Sequence, residues 1–256
     1  MGRFATTVAL YEELRPPYPP AFFAEVARRL AFGKAHALID LGTGPGLLAL
    51  GFAPYVGRIV GVDPEPAMLA AAMNAAERAS QAFTLIAGKT EDLADDIGRF
   101  DVVTIGRALH WMEREPTLSR LERLVAPEGV ILVCASFSAM DGQNAWLNDY
   151  HAARRAWSEE GLWSAASGAG RTHRDLAGFF QGTRFHAGDL IRVETSHEVS
   201  VRDLARRVLT FSSSSPDVLG DKAEAMLRDV EQRLLPLSHN GYITEVVVTT
   251  AQQVKR

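Results

Sequence analysis

The sequence has little of several features that mark whole classes of protein. Its one cysteine, Cys134, excludes an intrachain disulfide and favours a reducing compartment. No apolar run reaches about 18 residues, so no transmembrane helix is predicted. The N-terminal residues 1–4 are not followed by the apolar core of a signal peptide. These absences predict a cytoplasmic protein with no membrane partner.

The sequence also has no excess of positive charge and no metal-ligand pattern. The net charge of −4 disfavours non-specific nucleic-acid binding, which depends on many Lys and Arg side chains. The seven histidines show neither the i, i+4 pairing nor the cysteine partners typical of zinc sites, so we expect no metal. No G-x-S-x-G elbow supports a hydrolase. A small-molecule ligand or substrate is therefore expected.

Apolar strand-like segments alternate with helical patterns along most of the chain. This order predicts an α/β fold with a doubly wound, mostly parallel seven-stranded sheet, because strand–helix–strand units are joined by right-handed crossovers. The predicted strands are Ala37–Leu41, Arg58–Val62, Phe83–Ala87, Asp101–Ile105, Val130–Ser136, Asp189–Val199 and Gly241–Thr250.

We interpret all 256 residues as one domain, since single domains commonly reach this size. An N-terminal arm and helix (1–35) precede a core (36–136), an inserted helical cap (137–187), and C-terminal strands with a helical lid (188–256). The cap carries Trp146, Trp157 and Trp163. These side chains fit an apolar acceptor pocket and core packing equally well.

The most informative stretch is Leu38–Leu47, where an apolar run breaks into glycines at alternate positions and then resumes. This pattern predicts strand, tight loop and helix, with the loop at the edge where open α/β sheets bind nucleotides. A dinucleotide loop reads G-x-G-x-x-G, but here Leu47 follows Gly46 and Pro45 removes a backbone N–H. The loop therefore favours a ligand without phosphates; a tight turn with no ligand is the alternative.

Asp63 closes the second predicted strand about 20 residues after the glycine loop. At this place an acid can accept hydrogen bonds from both hydroxyls of a ribose. The alternative is an N-cap for the following helix. Loop, spacing and strand end together favour ribose binding.

Four ordered stretches resemble the motifs of class I S-adenosylmethionine-dependent methyltransferases. They are Leu38–Leu50, Gly61–Leu69, Gly88–Leu93 and Phe100–Trp111, and Leu124–Val133 is similar to that family's lead-in to strand 5, with Glu128 replacing a glycine. The resemblance covers about residues 36–136 and implies a Rossmann-like methyltransferase fold. Tyr11-x-x-x-Arg15-Pro-x-Tyr18-Pro19 and the His110–Trp111 pair also resemble a subgroup that includes trans-aconitate-type methyltransferases.

The resemblance implies a set of cofactor-binding residues at matching positions. The glycine loop would hold the methionine end, Asp63 the ribose, and residues 64–68 and 90–91 the adenine. Met68 would equally suit a helix core, and Lys89-Thr90 departs from the Asp-Ala common in the family. The implied residues are Asp40, Gly42, Thr43, Gly44, Gly46, Asp63, Pro64, Pro66, Met68, Thr90, Glu91, Gly106, Arg107, Tyr11, Arg15 and Tyr18.

His110 and Trp111 follow the fourth strand and are the candidate catalytic residues. His110 suits a general base on an acceptor hydroxyl, because histidine titrates near working pH. The alternative is a structural histidine that shapes the cofactor pocket. Trp111 would form a wall or a cation–π partner of the sulfonium.

The favoured function is methyl transfer from S-adenosylmethionine to a small-molecule acceptor. A carboxylate or hydroxyl group of the acceptor would receive the methyl group. The negative charges of Asp40 and Asp63 suit a cationic donor. One alternative is a cofactor-binding module without transfer activity. Another is an NAD-dependent oxidoreductase, although this sequence has Leu47 where the dinucleotide loop would have its third glycine. We expect a monomer or a homodimer.

Overall fold

The computed structural model describes residues 14–157, 176–211 and 213–256. Strands and helices alternate through residue 138. The strands are β1 Ala37–Leu41, β2 Arg58–Asp63, β3 Thr84–Ala87, β4 Phe100–Gly106, β5 Val125–Ser138, β6 His186–Ser200 and β7 Tyr242–Lys255. The helices are α1 Pro20–Arg29, α2 Leu47–Phe52, α3 Pro66–Arg78, α4 Arg114–Leu124, α5 Leu147–Trp157, α6 Val201–Arg207, α7 Pro216–Leu219 and α8 Ala223–Leu234.

The seven strands form one sheet in the order β3-β2-β1-β4-β5-β7-β6. The pairs β3–β2, β2–β1, β1–β4 and β4–β5 are all parallel. This arrangement confirms the predicted α/β sheet. The order changes direction between β1 and β4, and at such a switch point the carboxyl ends of the strands leave a crevice for a ligand.

Both faces of the parallel strands are buried, as expected where helices cover each side of a sheet. Alternate residues of β1 enter different clusters: Ile39 and Leu41 pack on one face, and Leu38 packs on the other. Cys134 of β5 is fully buried in the second cluster. Burial raises the pKa of its thiol well above the usual value, which disfavours the reactive thiolate.

Contacts divide the described residues into two compact units. The first unit contains residues 18–135, 176–193 and 249–256, and therefore the glycine loop. The second unit contains residues 14–17, 136–157, 194–211 and 213–248. The segment 137–187, predicted as an inserted cap, contributes described residues to both units, and its domain role stays a prediction.

The core of the second unit forms around α5, α6 and α8. Trp146 is buried there and packs edge-on against Tyr150 at 5.6 Å between ring centroids. Trp157 packs against the same cluster, and its indole N–H donates to Asp229 at 2.9 Å. Both tryptophans thus contribute to packing. Trp163 lies outside the described residues.

Two features are absent from residues 14–157, 176–211 and 213–256. No helix there is both long enough and apolar enough to cross a membrane. Nor do three or more His, Cys, Asp or Glu side chains in those ranges come together in a way that would hold a metal ion.

The contact between α1 and α2 yields a stability prediction at Gly51. A Cβ there would lie 2.0 Å from the ring of Phe23, which already packs perpendicular to Phe52 at 4.9 Å. We expect Gly51→Ala to lower the free energy of unfolding by about 1–3 kcal/mol, the usual cost of overpacking a core. Chemical denaturation followed by circular dichroism measures this change.

Gly178 provides the matched control, because it is helical and a Cβ there would meet nothing within 4 Å. Gly178→Ala should stabilise by about 0.5–1 kcal/mol through the higher helix propensity of alanine. Equal effects of the two substitutions would contradict this description of the α1–α2 contact.

Candidate functional site

Asp40 lies at the end of β1 and is 1% exposed. Its carboxylate accepts hydrogen bonds from the hydroxyls of Thr43, in the glycine loop, and Thr104, in β4, each at 2.7 Å. The backbone amide of Ala49 in α2 also interacts with it. One buried carboxylate thus joins strand, loop, helix and neighbouring strand.

Asp63 connects the glycine loop to the end of β2. One of its oxygens accepts from the Gly44 amide and the other from the Glu65 amide, each at 2.9 Å. The amides of Gly42 and Thr43 both donate to the Val62 carbonyl, at 2.9 Å. The loop is therefore held against β2 at three consecutive residues.

Burial changes the acidity of both carboxylates. It raises the pKa of Asp40 to about 6, although hydrogen bonds from Thr104 and Thr43 act in the opposite direction. It also raises the pKa of Asp63, against the effect of the Glu65 and Gly44 amides. A cation placed near these groups would stabilise their charged forms.

The three loop glycines have positive φ angles but different surroundings. A Cβ at Gly42 would lie 2.4 Å from the Cβ of Ala108, and one at Gly46 would lie 3.3 Å from Ala72. At Gly44 the nearest atom would be the sulfur of Met68, at 3.9 Å. Gly42 and Gly46 thus allow close packing, whereas the backbone at Gly44 is less crowded, with only ordinary van der Waals contact to Met68.

The residues predicted for the adenine have distinct environments. Met68 is buried on α3, next to Gly44, whereas Pro64 and Pro66 are exposed. Thr90 is buried, and a Glu91 oxygen accepts from the Glu113 amide at 2.9 Å and the Thr117 hydroxyl at 3.1 Å. Glu91 therefore also anchors the start of α4; adenine contact by this set stays a prediction.

Gly106 is the last residue of β4, and Arg107 follows it. A Cβ at Gly106 would lie 2.6 Å from Leu48 and 3.3 Å from the Tyr18 hydroxyl, so close packing requires the glycine. Arg107 has a φ of 58°, which is uncommon outside glycine and frequent at functional sites. Its guanidinium lies 5.0 Å from the Tyr18 ring, and Tyr18 donates to the Cys134 carbonyl at 3.3 Å.

His110 and Trp111 occupy a short 3-10 helix, Leu109–Trp111, directly after β4. Both side chains are exposed, and their rings lie 5.0 Å apart. Leu109 is buried and anchors this turn. The exposure of His110 suits a group that meets an acceptor better than a histidine buried for packing.

Two N-terminal residues, Tyr11 and Arg15, are also predicted to bind the cofactor. Tyr11 lies outside the described residues. Arg15 belongs to the second unit, where its guanidinium donates to the Thr210 carbonyl at 2.8 Å and lies 4.0 Å from the Phe211 ring centroid. Cofactor binding by either residue stays a prediction.

Sequence reasoning missed Thr104, the hydroxyl that holds Asp40 from β4. The available signal was a polar residue inside the apolar run Val102–Ile105. Thr104 is fully buried, and its hydroxyl donates to Asp40 at 2.7 Å. A buried hydroxyl needs a partner, so its place opposite Asp40 follows once the strand order is known.

Comparisons with known proteins converge on one family. Residues 39–133 match a family model described as a methyltransferase domain. An uncharacterized methyltransferase of Mycobacterium bovis is 29% identical over 126 residues, 49% of each chain. The trans-aconitate 2-methyltransferase of Methylobacterium radiotolerans is 32% identical over 162 residues, 60% of this chain and 57% of that one. The chain thus spans about half the length of the curated relatives it matches.

A solved structure is similar along the whole chain. It is an S-adenosylmethionine-dependent methyltransferase from Thiobacillus denitrificans in complex with S-adenosyl-L-homocysteine. The TM-score is 0.56 at 16% identity, and the superposition covers 98% of both chains. At this identity the likeness concerns the fold.

The buried Asp40 gives a prediction on stability and pH. Its folded-state pKa of about 6 exceeds the usual 3.8, so its contribution to stability is full below pH 3.8 and is lost as the pH rises through 6. Asp40→Asn removes this dependence. From pH 4 to pH 7.5 the variant should therefore gain about 2.4 kcal/mol relative to the wild type.

Urea unfolding of both proteins at the two pH values measures this double difference, in which other titrating groups cancel. An unchanged difference between wild type and variant would contradict the burial of a titrating carboxylate at position 40.

Proposed function

We propose that the chain is an S-adenosylmethionine-dependent methyltransferase and that it transfers a methyl group from this cofactor to an oxygen of a small-molecule acceptor. The observation that carries the proposal is the pair of carboxylates, Asp40 and Asp63, that hold the glycine loop, where the backbone of Gly44 is less crowded than that of its neighbours and lies next to Met68. Two acids suit a sulfonium cation, whereas the pyrophosphate of NAD would meet like charge.

The residues present fit this cofactor. Asp63 is 8% exposed, and each of its oxygens retains a lone pair beyond its one amide bond, so ribose hydroxyls can bind there. Met68 offers an apolar surface for the adenine. S-adenosylmethionine supplies an electrophilic methyl group on its sulfonium, and the protein contributes position and exclusion of water.

His110 is proposed as the base for a hydroxyl acceptor. Its exposed ring follows β4 at the carboxyl edge of the sheet, where active-site loops gather in such folds. A carboxylate acceptor needs no base, since it is already deprotonated at neutral pH. Methylation of a hydroxyl acceptor should therefore depend on His110, whereas methylation of a carboxylate acceptor should not.

The function is tested by incubating the full chain with S-adenosylmethionine and panels of carboxylic acids, phenols, alcohols and amines. We expect S-adenosylhomocysteine to be released with an oxygen acceptor, and chromatography to identify the methylated product. Cofactor binding without release across the panels would favour a binding module. Methylation of amines alone would contradict an oxygen acceptor.

His110→Ala gives a second prediction. We expect kcat for hydroxyl acceptors to fall about 100-fold or more, the usual contribution of a general base. Rates with carboxylate acceptors should change little. The exposed position of His110 predicts an unaltered unfolding temperature, which separates chemistry from folding.

Steady-state kinetics on one acceptor of each kind measures the effect, and Asp96→Ala, an exposed carboxylate of the same unit, serves as the control. Equal loss with both kinds of acceptor would contradict the role of His110 as a base.

A further inference from the structure

Glu91 lies in a short 3-10 helix, Thr90–Asp92, and its side chain is half-buried. One of its carboxylate oxygens accepts two hydrogen bonds, from the Glu113 amide at 2.9 Å and from the Thr117 hydroxyl at 3.1 Å. Both donors belong to the start of α4, 22 and 26 residues further along the chain. Glu91 therefore connects the segment that follows β3 to the helix that follows β4.

The start of α4 offers donors that suit a carboxylate. Glu113 is the N-cap residue of this helix, and backbone amides at helix N-termini have no partner within the helix. Thr117 is fully buried, so its hydroxyl needs an acceptor. A negative charge at this end of a helix also interacts favourably with the helix dipole. Loss of the Glu91 carboxylate would remove all of these interactions together.

Glu113 is also the last residue of the turn that carries the candidate catalytic residues. This turn, residues 107–113 (the His110 turn), joins β4 to α4. Near its start, the Cβ of Ala108 packs so closely on the glycine loop that a Cβ at Gly42 would lie 2.4 Å from it. At its centre, Leu109 is buried in the core. The His110 turn is thus held by the glycine loop, by the core and, at its end, by Glu91.

His110 and Trp111 are the exposed part of this turn. An exposed ring is positioned by packing to a smaller extent than a buried one. The anchors of the backbone on either side therefore contribute more to its position. The nearest anchors are Leu109, which precedes the two rings, and the Glu113 amide, which follows them two residues later.

We propose that Glu91 is a positioning residue for methyl transfer, which holds the His110 turn in the geometry in which His110 meets the acceptor. The inference rests on the proposed function for the role of His110, whereas the hydrogen bonds of Glu91 are independent of it. A base must lie within hydrogen-bond reach of the proton that it removes. A displacement of about 1 Å, even from a change far from the chemistry, can cost about 100-fold in rate.

Glu91→Ala and Glu91→Gln separate the two hydrogen bonds from the charge. The amide oxygen of glutamine can accept the same two bonds, whereas alanine accepts none. With hydroxyl acceptors and saturating S-adenosylmethionine, we expect kcat to fall about 10-fold to 100-fold in Glu91→Ala and by at most a few-fold in Glu91→Gln. Asp92→Ala, which removes the neighbouring exposed carboxylate of the same 3-10 helix, is the matched control and should leave kcat unchanged.

A double-mutant cycle with His110→Ala tests whether Glu91 acts through His110. Once the base is absent its position no longer matters, so Glu91→Ala should add little to the loss of kcat in His110→Ala. Carboxylate acceptors need no base, and Glu91→Ala should methylate them at nearly the wild-type rate. Fully additive losses in the cycle, or equal losses with both kinds of acceptor, would overturn the proposal.

The indole N–H of Trp111 reports the position of the turn without any turnover. In a two-dimensional proton–nitrogen NMR spectrum its signal is the one that disappears in Trp111→Phe. We expect this signal to shift in Glu91→Ala and to keep its wild-type position in Glu91→Gln and Asp92→Ala. An unchanged signal in Glu91→Ala would also overturn the proposal.

Thr117→Val keeps the test independent of the folding of Glu91→Ala. This variant removes one of the two hydrogen bonds and leaves Glu91 in place. We expect the same loss of kcat with hydroxyl acceptors and the same shift of the Trp111 signal, each to a smaller extent. Wild-type values of both would contradict the role of this bond in holding the turn.

Failure of this proposal can be told apart from failure of the proposed function. Absence of methyl transfer by the wild type with every acceptor would contradict the proposed function. A Trp111 signal that shifts in Glu91→Ala but not in Glu91→Gln would, even then, support the hold of Glu91 on the His110 turn.

Discussion

The burial of Asp40 is the constraint on which the structure of the glycine loop depends. A carboxylate removed from water is costly unless hydrogen bonds replace its hydration. Thr43, Thr104 and the Ala49 amide provide them, and each belongs to a different segment of the first unit. The same bonds that make the burial tolerable therefore fix the path of the glycine loop.

Asp63 extends this constraint to the ligand side of the loop. Asp63 accepts hydrogen bonds from the Gly44 and Glu65 amides. Asp40 and Asp63 therefore lie near the ends of two adjacent strands, β1 and β2. Among the three loop glycines, Gly44 is the one where a Cβ would meet only an ordinary van der Waals contact, with Met68 at 3.9 Å. Geometry and charge at this edge thus favour a cationic cofactor without phosphates.

The sheet and the glycine loop could be predicted from the sequence, because strand periodicity and positive-φ glycines are local properties. The hydrogen bonds of Thr104 to Asp40 and of Glu91 to Glu113 could not, because these partners are 64 and 22 residues apart in the chain. Arg15 shows the same limit: its motif predicted a cofactor contact, while its contacts with Thr210 and Phe211 depend on the tertiary fold. The exposure of His110 likewise depends on how the turn after β4 folds, which the sequence pattern does not specify.

Titration of S-adenosylmethionine into wild type, Asp63→Ala and Asp96→Ala by calorimetry tests whether Asp63 and the glycine loop hold the cofactor. We expect one cofactor bound per chain, an affinity at least about 100-fold lower in Asp63→Ala, and no change in Asp96→Ala, since two hydrogen bonds to a charged group are lost only in the first variant. Equal affinity in all three proteins would contradict cofactor binding by Asp63. Tighter binding of NAD than of S-adenosylmethionine would contradict the assignment of the cofactor.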